Sequence, residues 1–197
     1  MNKKERIALI KELESELAYG RFVHTLDVAA TAANLAMCYG ADLDKAETAG
    51  LLHDCAKCMS LGKMLKVCDK AGTDLSEFEK NSVSLLHSKA GAVLAESRYG
   101  VRDEDTLNAI RFHTTGRPGM SLLEKIVFVA DYIEPGRSSK AKRIIPGLDE
   151  IRRIAFEDLD MAVFRELENT LLYLKESGYV IDPQTQETYD YYEDRKR

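Results

Sequence analysis

Apolar residues recur along this chain at intervals of three and four, the spacing that places them on one face of an α-helix. The first such stripe consists of Ile7, Ile10, Leu13 and Leu17, and Gly20 is expected to close it. The strict alternation of apolar and polar residues that is typical of a half-buried strand is almost absent. The pattern therefore predicts an all-α helical bundle.

Glycine, proline and capping residues divide the chain into further helices. The predicted segments are 22–39, a helix capped by Asp42 or Asp44, 61–70, 82–98, 103–113, 122–133 and one long helix over 148–176. Ser121 and Glu124 have the spacing of a capping box at the start of LLEKIVFVADYI. Pro135 and Gly136 are expected to end that helix. The tail, GYVIDPQTQETYDYYEDRKR, is polar and tyrosine-rich.

Composition fits a single domain and restricts its partners. The 197 residues are 45% hydrophobic and 31% charged, with a net charge of -5. A protein that binds duplex nucleic acid normally has a basic face, so nucleic acid is not expected as a partner. A small anionic ligand is compatible with this negative net charge, because a pocket can be locally basic in an acidic protein. No apolar run approaches the roughly 18 residues that a membrane span needs, so no membrane contact is expected.

The start of the chain and its cysteines favour a cytoplasmic protein. The segment MNKKERIALIKELESEL is charged and helical in pattern, unlike a secretory leader. Cys38, Cys55, Cys58 and Cys68 are expected to be free thiols, buried or half-buried, in a reducing compartment. Cys55 and Cys58 form a CxxC, but a single such pair is weak evidence for zinc.

Four histidines carry the candidate chemistry. His24, His53, His87 and His113 each fall on or at the end of a different predicted helix, and Asp54 follows His53 directly in LLHDCAK. The small residues Ala46, Ala49 and Gly50 share a helical face with His53 and predict a close approach of another helix. Taken alone, each histidine is more simply a core residue with satisfied hydrogen bonds.

Asp131 makes the joint pattern informative. It lies in IVFVADYI, a helical segment that is apolar nearly all round and is therefore expected to be buried. A buried carboxylate needs a cation or strong donors, and Lys125 and Arg137, about six positions away, are not assumed to reach it. A metal is the economical explanation, since imidazole and carboxylate together suit iron, manganese or zinc. Capping of a neighbouring helix is the ordinary alternative, and spacing alone does not show that these side chains converge.

The order H, HD, H, H, D resembles the HD-domain phosphohydrolase superfamily, and longer segments narrow the resemblance. RFVHTLDVA at 21–29, GLLHDCAK at 50–57, LLHSKAGA at 85–92 and RFHTTGRPGMSLLEKIVFVADYIEPGR at 111–137 resemble the bacterial YqeK-type family of symmetrical diadenosine tetraphosphate hydrolases. The resemblance runs from about Lys11 to Tyr192. The chain departs from it at Cys55 and Cys58, and in the ending YDYYEDRKR, where an asparagine-containing sequence is expected.

The resemblance implies a domain organisation and a metal site. It implies one HD domain over 1–197, with a metal-binding core at about 19–137 and a C-terminal helix and tail over 148–197. The implied metal ligands are His24, His53, Asp54 and Asp131. Iron is the expected metal, with manganese, cobalt and zinc as other choices. His87 and His113 either hold a second metal bridged by Asp54, or act on the phosphates and the leaving ADP.

Substrate contacts are also implied residue by residue. The residues expected to contact substrate are Arg21, His24, Asp54, Lys57, His87, His113, Thr114, Asp131, Arg137 and Tyr179. Four of them are expected to act in catalysis, namely Asp54, Lys57, His87 and His113. Tyr179 is expected to stack on a base or to be a core residue, and Arg117 is not expected to reach substrate.

The activity that the resemblance implies is metal-dependent hydrolysis of diadenosine tetraphosphate to two ADP, by attack of metal-activated water on an inner phosphorus. The expected partners are the dinucleotide, the ADP product and a second copy of the chain in a homodimer. One alternative is another HD-domain phosphohydrolase, acting on a nucleoside monophosphate or a guanosine alarmone. A second alternative is a nucleotide-sensing module that binds metal and turns over slowly.

Overall fold

The computed structural model describes residues 3–137 and 145–195, and within these ranges it contains helices and no strand. The described residues form eleven helices, which are α1 (Lys3–Glu16), α2 (Tyr19–Tyr39), α3 (Leu43–Leu52), α4 (Leu61–Lys70), α5 (Glu77–Lys80), α6 (Val83–Ser97), α7 (Glu104–Arg111), α8 (Leu122–Ile133), α9 (Leu148–Ile154), α10 (Leu159–Glu176) and α11 (Pro183–Glu193). The all-α prediction is confirmed. None of the described helices is both long and apolar enough to cross a membrane.

Helices α2, α3 and α8 form the centre of the bundle. They pack against one another, α7 contacts both α3 and α8, and α6 lies between α4 and α7. On the other side, α10 packs on α8 and carries α11. The buried side chains at the centre include Leu35, Leu52, Ile126 and Phe128. Every helix that carries a candidate histidine or aspartate therefore borders this centre or forms it.

The close approach of two helices that the small residues predict is found between α2 and α3. A Cβ atom added at Gly50 would lie 2.7 Å from the Cα of Ala29, a distance at which backbone would have to move. Ala46 and Ala49 on the same face are fully buried. The absence of a side chain at Gly50 therefore sets how deeply α3, and the histidine that follows it, can sit against α2.

Two capping predictions have different outcomes. The carboxylate of Asp42 caps α3 by accepting a hydrogen bond from the Lys45 amide at 3.1 Å. Ser121 caps α8 by accepting from the Glu124 amide at 3.1 Å. The reciprocal half of the predicted capping box is missing, because the Glu124 carboxylate instead accepts two hydrogen bonds from Arg117, at 2.6 and 2.7 Å.

The C-terminal third differs most from the prediction. The single helix expected over 148–176 is two helices, since the chain turns at 155–158 before Asp158 caps α10 by accepting from the Met161 amide. The hydroxyl of Tyr39 donates to the Ala155 carbonyl at 2.9 Å and holds this turn against α2. The tail, to which no element was assigned, forms α11, with Asp182 as its cap and Pro183 at its first turn.

Smaller differences concern α1 and the cysteines. Helix α1 ends at Glu16, and Gly20 lies in the first turn of α2 instead of closing the first stripe. All four cysteines are free, but only Cys55 and Cys68 are buried, whereas Cys38 and Cys58 are exposed.

Candidate metal centre

All four histidines and both aspartates converge on one cluster at the centre of the bundle. His24 projects from α2, His87 from α6 and Asp131 from the last turn of α8, while His53 with Asp54 follows α3 and His113 follows α7. The ring centroids of consecutive histidine pairs lie 4.9 to 5.3 Å apart. The four imidazoles and Asp54 are buried. The spacing of these residues in the sequence did not show whether their side chains converge, and in the structure they do.

Tight turns after α3 direct His53, Asp54 and Lys57 into the cluster. The amides of Cys55 and Lys57 donate to the carbonyls three residues earlier, those of Leu52 and Asp54. Because of these two hydrogen bonds, the chain forms turns after Leu52 instead of continuing as a helix. The turns bring the Lys57 ammonium to 3.7 Å from Asp54 Oδ1.

Backbone carbonyls fix the tautomers of two histidines. His53 Nδ1 lies 2.7 Å from the Gly50 carbonyl oxygen, and His113 Nδ1 lies 2.7 Å from that of Ile110. Because a carbonyl oxygen only accepts, each Nδ1 carries the proton and each Nε2 keeps a lone pair. Both Nε2 atoms face the cluster, which is the arrangement found in metal-binding histidines.

His24 is held between two carboxylates. Its Nε2 lies 3.0 Å from Asp131 Oδ1 and its Nδ1 lies 3.0 Å from Glu134 Oε1. Burial lowers the pKa of His24, but the hydrogen bonds to Asp131 and Glu134 outweigh it and raise the pKa above its ordinary value. The sequence analysis did not single out Glu134, although its position three residues after Asp131 puts both on one helical face.

Asp131 was expected to be buried and was not assumed to be within reach of Lys125 or Arg137, and the structure differs on its burial and on Arg137. Its side chain is 21% exposed, so it is half-buried, and it accepts a hydrogen bond from the Arg137 guanidinium. Lys125 instead pairs with Asp160 at 2.7 Å. Burial opposes ionisation of Asp131, but the charge of Arg137 and the hydrogen bond from His24 hold its pKa well below the usual range. Asp131 is therefore an ionised carboxylate that already has a cationic partner.

Asp54 lies between His24 and His53 on one side and His87 and His113 on the other, and its two carboxylate oxygens face different groups. Oδ2 lies 2.5 Å from Arg21 Nη1 and 3.5 Å from His53 Nε2. Oδ1 lies 3.1 Å from His87 Nε2 and 3.8 Å from His113 Nε2. Burial would raise the pKa of Asp54, but the surrounding His53, His87 and Lys57 lower it well below its usual range.

The buried Oδ1 of Asp54 accepts no hydrogen bond from the described residues. An ionised oxygen without a donor is costly at such a site, and a metal ion would compensate for it. Two groups of side chains have ligand atoms within 4.8 Å of one another, His24 with His53 and Asp131, and His53 with Asp54 and His113. The residues present therefore fit one metal ion, or two that share the region around His53 and Asp54.

His87 and His113 form a second, uncharged pair. Their Nε2 atoms lie 3.0 Å apart, and the hydroxyl of Thr114 lies 3.4 Å from the first and 3.3 Å from the second. Burial lowers the pKa of His87. Burial lowers the pKa of His113 well below its ordinary value, because protonating it beside His87 and His53 is also unfavourable. Because the His113 Nε2 is an acceptor, it can accept a proton from the His87 Nε2, which also faces the Lys57 ammonium at 3.0 Å.

Three cations border the cluster. Arg21 pairs with Asp54, Lys57 lies near it, and Arg137 pairs with Asp131. Their side chains are 33%, 29% and 33% exposed, so each spans from the buried carboxylates to solvent. Such a border of positive charge is suited to phosphate oxygens.

The structure does not bring Tyr179 into this cluster. Its side chain is 60% exposed, so it is not a core residue, and its ring lies 6.2 Å from that of Tyr173. Arg117 pairs with the buried Glu124 at 2.6 Å.

Glu166 on α10 is a buried acid that the sequence analysis missed. Its side chain is buried, and its Oε2 accepts no hydrogen bond from the described residues. Burial, together with the charge of Asp131, raises the pKa of Glu166 well above its ordinary value. A single polar residue in an amphipathic helix gives no signal in one sequence, since most such residues face solvent.

Comparison with known protein families assigns the chain to a class. A family model described as the HD domain matches residues 21–136, a stretch that contains all six cluster residues. The chain belongs to the HD-domain family.

Individual relatives narrow this assignment within the family. The chain is 40% identical, over 97% of both chains, to a Bacillus subtilis protein named bis(5'-nucleosyl)-tetraphosphatase, symmetrical. It is 38% identical to a Staphylococcus aureus protein of the same name, over 98% of this chain and 95% of that one. A Clostridium acetobutylicum crystal structure, described as a predicted HD superfamily hydrolase involved in NAD metabolism, is 42% identical. Its TM-score is 0.90, over 97% of this chain and 98% of that one.

Proposed function

We propose that this protein is a metal-dependent hydrolase that cleaves diadenosine tetraphosphate symmetrically into two ADP. The observation that carries the proposal is the convergence of four histidines and two ionised aspartates, with three cations at their border. The names of full-length relatives with about 40% identity point to the same reaction.

His24, His53, Asp54 and Asp131 would hold the metal, with iron as our choice among iron, manganese, cobalt and zinc. The mixed imidazole and carboxylate ligands suit all of these ions. When bound, the metal supplies an activated water for attack and withdraws charge from the phosphoryl oxygens. Glu134 holds the His24 Nδ1 and so keeps the ring oriented with Nε2 toward Asp131.

The cations at the border orient the tetraphosphate. Arg21, Lys57 and Arg137 reach solvent and have flexible side chains, so each can pair with a phosphate oxygen while remaining near its carboxylate. Their combined charge opposes the four negative phosphates and holds an inner phosphorus at the cluster. Hydrolysis forms a bond from the water oxygen to that phosphorus and breaks its bond to the central bridging oxygen, which leaves on ADP.

His87 and His113 act on the phosphates. The His87 Nε2 lies at the cluster and, when it carries the proton, donates it to a phosphoryl oxygen, while the Thr114 hydroxyl offers a second donor beside it. His113 keeps its lone pair toward His87 and orients that ring. In the two-metal alternative, the same two histidines would be ligands of the second ion.

We also propose that the protein is a cytoplasmic homodimer. The free thiols suit a reducing compartment. The homodimer rests on the family resemblance, and sedimentation should give twice the monomer mass of 22.1 kDa.

The test of the proposed reaction is a product assay. The purified protein would be stripped of metal, reloaded with iron, manganese, cobalt or zinc, and incubated with diadenosine tetraphosphate before the nucleotides are separated. AMP and a guanosine tetraphosphate would be run in parallel as substrates. We expect ADP as the single product, with at least tenfold preference for the dinucleotide.

Other outcomes would contradict the proposal in different ways. AMP together with ATP would mean attack at an outer phosphorus. Release of phosphate from AMP or the guanosine nucleotide alone would indicate another HD-domain phosphohydrolase. Binding of ADP with metal present, seen as a higher melting temperature without turnover of any substrate, would indicate the sensing module.

A further inference from the structure

The C-terminal helix α11 contacts the loop 114–119, which directly follows the buried His113. The side-chain amide of Gln184 donates hydrogen bonds to the Thr115 hydroxyl at 2.9 Å and to the Gly116 carbonyl at 2.6 Å. The Thr115 hydroxyl in turn donates to the Gly116 carbonyl at 3.0 Å. One side-chain amide therefore binds two consecutive residues of the loop.

The contact between α11 and the loop leaves little room for movement. Gly116 has a φ of 62°, and a Cβ atom there would lie 2.8 Å from the Thr188 methyl carbon. Thr188 is fully buried, and its hydroxyl donates to the Gln184 carbonyl one turn earlier. Glycine at 116 is required both by the left-handed backbone and by the close approach of α11.

The other side of the loop is anchored to α8. Arg117 donates two hydrogen bonds to the buried Glu124, and its guanidinium lies over the Phe112 ring at 5.1 Å from the centroid. The loop is thus held from both sides, by α8 through Arg117 and by α11 through Gln184. Thr114 lies between the anchored segment and His113, with its hydroxyl within 3.4 Å of both histidine Nε2 atoms.

We infer that Gln184 is a positioning residue, which fixes the Thr114 hydroxyl and the His87–His113 pair in the geometry needed for hydrolysis. The inference deepens the proposed function, because it rests on the role given there to these two histidines. It also gives the tail a role at the point where the chain departs from its resemblance, since the helix that carries the divergent ending also carries Gln184. The amide must act as a donor, because the Gly116 carbonyl only accepts.

The test compares three changes at the contact with one control on the same helix. Gln184→Ala removes the donor, Gln184→Glu replaces it by an acceptor of the same shape, and Thr115→Val removes the hydroxyl partner. Gln186→Ala is the matched control, because the side-chain amide of Gln186 donates to Asp190 on the same helix and, among the described residues, to no residue of the loop. Each variant would be assayed with diadenosine tetraphosphate at known metal content.

We expect Gln184→Ala and Gln184→Glu to lower kcat by roughly 10- to 100-fold, as small misplacements of catalytic groups do. KM and metal content should stay within about twofold of the parent, and Gln186→Ala should match the parent throughout. Thr115→Val should show a smaller loss of kcat in the same direction, and it keeps the inference testable if the Gln184 variants fold poorly.

A second readout does not depend on turnover. The imidazole nitrogen resonances of His87 and His113 should shift in Gln184→Ala and stay unchanged in Gln186→Ala. Lower melting temperature with unchanged kcat and unchanged histidine resonances would overturn the inference and leave Gln184 a structural residue. If the parent protein makes no ADP but the resonances shift, the proposed function fails while the positioning contact stands.

Discussion

The two oxygens of Asp54 face two sides of the cluster that are built from different chemistry. Facing Oδ2 is a charged side, formed by Arg21, His24 and His53 and continued by Asp131 with its partners Glu134 and Arg137. Facing Oδ1 is a neutral side, formed by His87, His113 and Thr114, with the Lys57 ammonium at its border 3.7 Å from Oδ1. On the charged side the pKa of His24 is raised, whereas on the neutral side the pKa values of both histidines are lowered.

The difference between the charged side and the neutral side explains how one cluster can hold both a cation and a phosphate. The charged side concentrates ionised carboxylates that a metal would neutralise. The neutral side keeps its imidazoles uncharged through burial, so they offer hydrogen bonds without competing for the metal. Four predictions test whether the two sides have these separate tasks.

The largest effect is expected on the charged side, for Asp131→Ala. The variant should lose the bound metal and lower activity by at least about 1,000-fold, because several kcal/mol of transition-state stabilisation go with the metal. Elemental analysis and the product assay would measure the two losses together. Asp160→Ala, which removes a carboxylate paired with Lys125 at the surface, is the control. A variant that keeps its full metal content and full turnover would remove Asp131 from the site.

On the neutral side, His113→Gln should keep one metal per chain and lower kcat by about 100- to 10,000-fold, because His87, the ring that transfers the proton, loses the group that orients it. Elemental analysis of the variant separates the one-metal from the two-metal arrangement. If the parent holds two ions and the variant holds one, His113 is a ligand and the neutral side is a second metal site.

Lys57→Ala should have an intermediate effect, because the ammonium lies beside Asp54 Oδ1 and His87 at the border of the neutral side and reaches solvent. We expect an unchanged metal content and a KM about tenfold higher, equivalent to about 1.4 kcal/mol of substrate binding. Lys63→Ala removes an exposed lysine of α4 and serves as the control. Loss of metal from Lys57→Ala would show that the ammonium stabilises the ligand set instead of the substrate.

The smallest effect is on stability and concerns Glu166. Its raised pKa means that the folded protein holds a proton that the unfolded chain releases above about pH 4.5, so the stability falls as pH rises from that value through the raised pKa of the folded state. Glu166→Gln should therefore stabilise the metal-free protein by about 1–2 kcal/mol at pH 8 and by little at pH 4. Urea unfolding in the presence of a chelator measures both values, and an equal gain at the two pH values would contradict the titration.

Most of the fold follows from local signals in the sequence. Helix α4 matches the predicted 61–70, and α8 begins and ends where Ser121 and Pro135 predict, because these signals act within a few residues. The break at 155–158 was missed, since it depends on contacts with Tyr39 far away in sequence. The helix α11 was missed because its tyrosines are spread around the helix, with Tyr192 buried and Tyr189 and Tyr191 half-buried.

The site was predictable as a set of residue types but not as a network. The resemblance carried over the histidines and aspartates, and the structure brings all six together. The pairing of Arg137 with Asp131 was missed, because the helix ends at Ile133 and the following turn brings the guanidinium back. Gln184 was missed for a different reason, since a hydrogen bond between residues 184 and 115 leaves no pattern in one sequence.

Gly50 contributes both to the packing of α3 and to the orientation of His53, and the two contributions can be separated by experiment. It lets α3 lie against Ala29, and its carbonyl oxygen also accepts the proton of His53 Nδ1. An alanine there would cost about 1–3 kcal/mol of packing, which a stable bundle can survive. The same shift would move the carbonyl that orients His53. A mutational screen scored by soluble expression and one scored by metal content should therefore disagree at position 50 more than at Ala46, whose own carbonyl has no known task in the cluster.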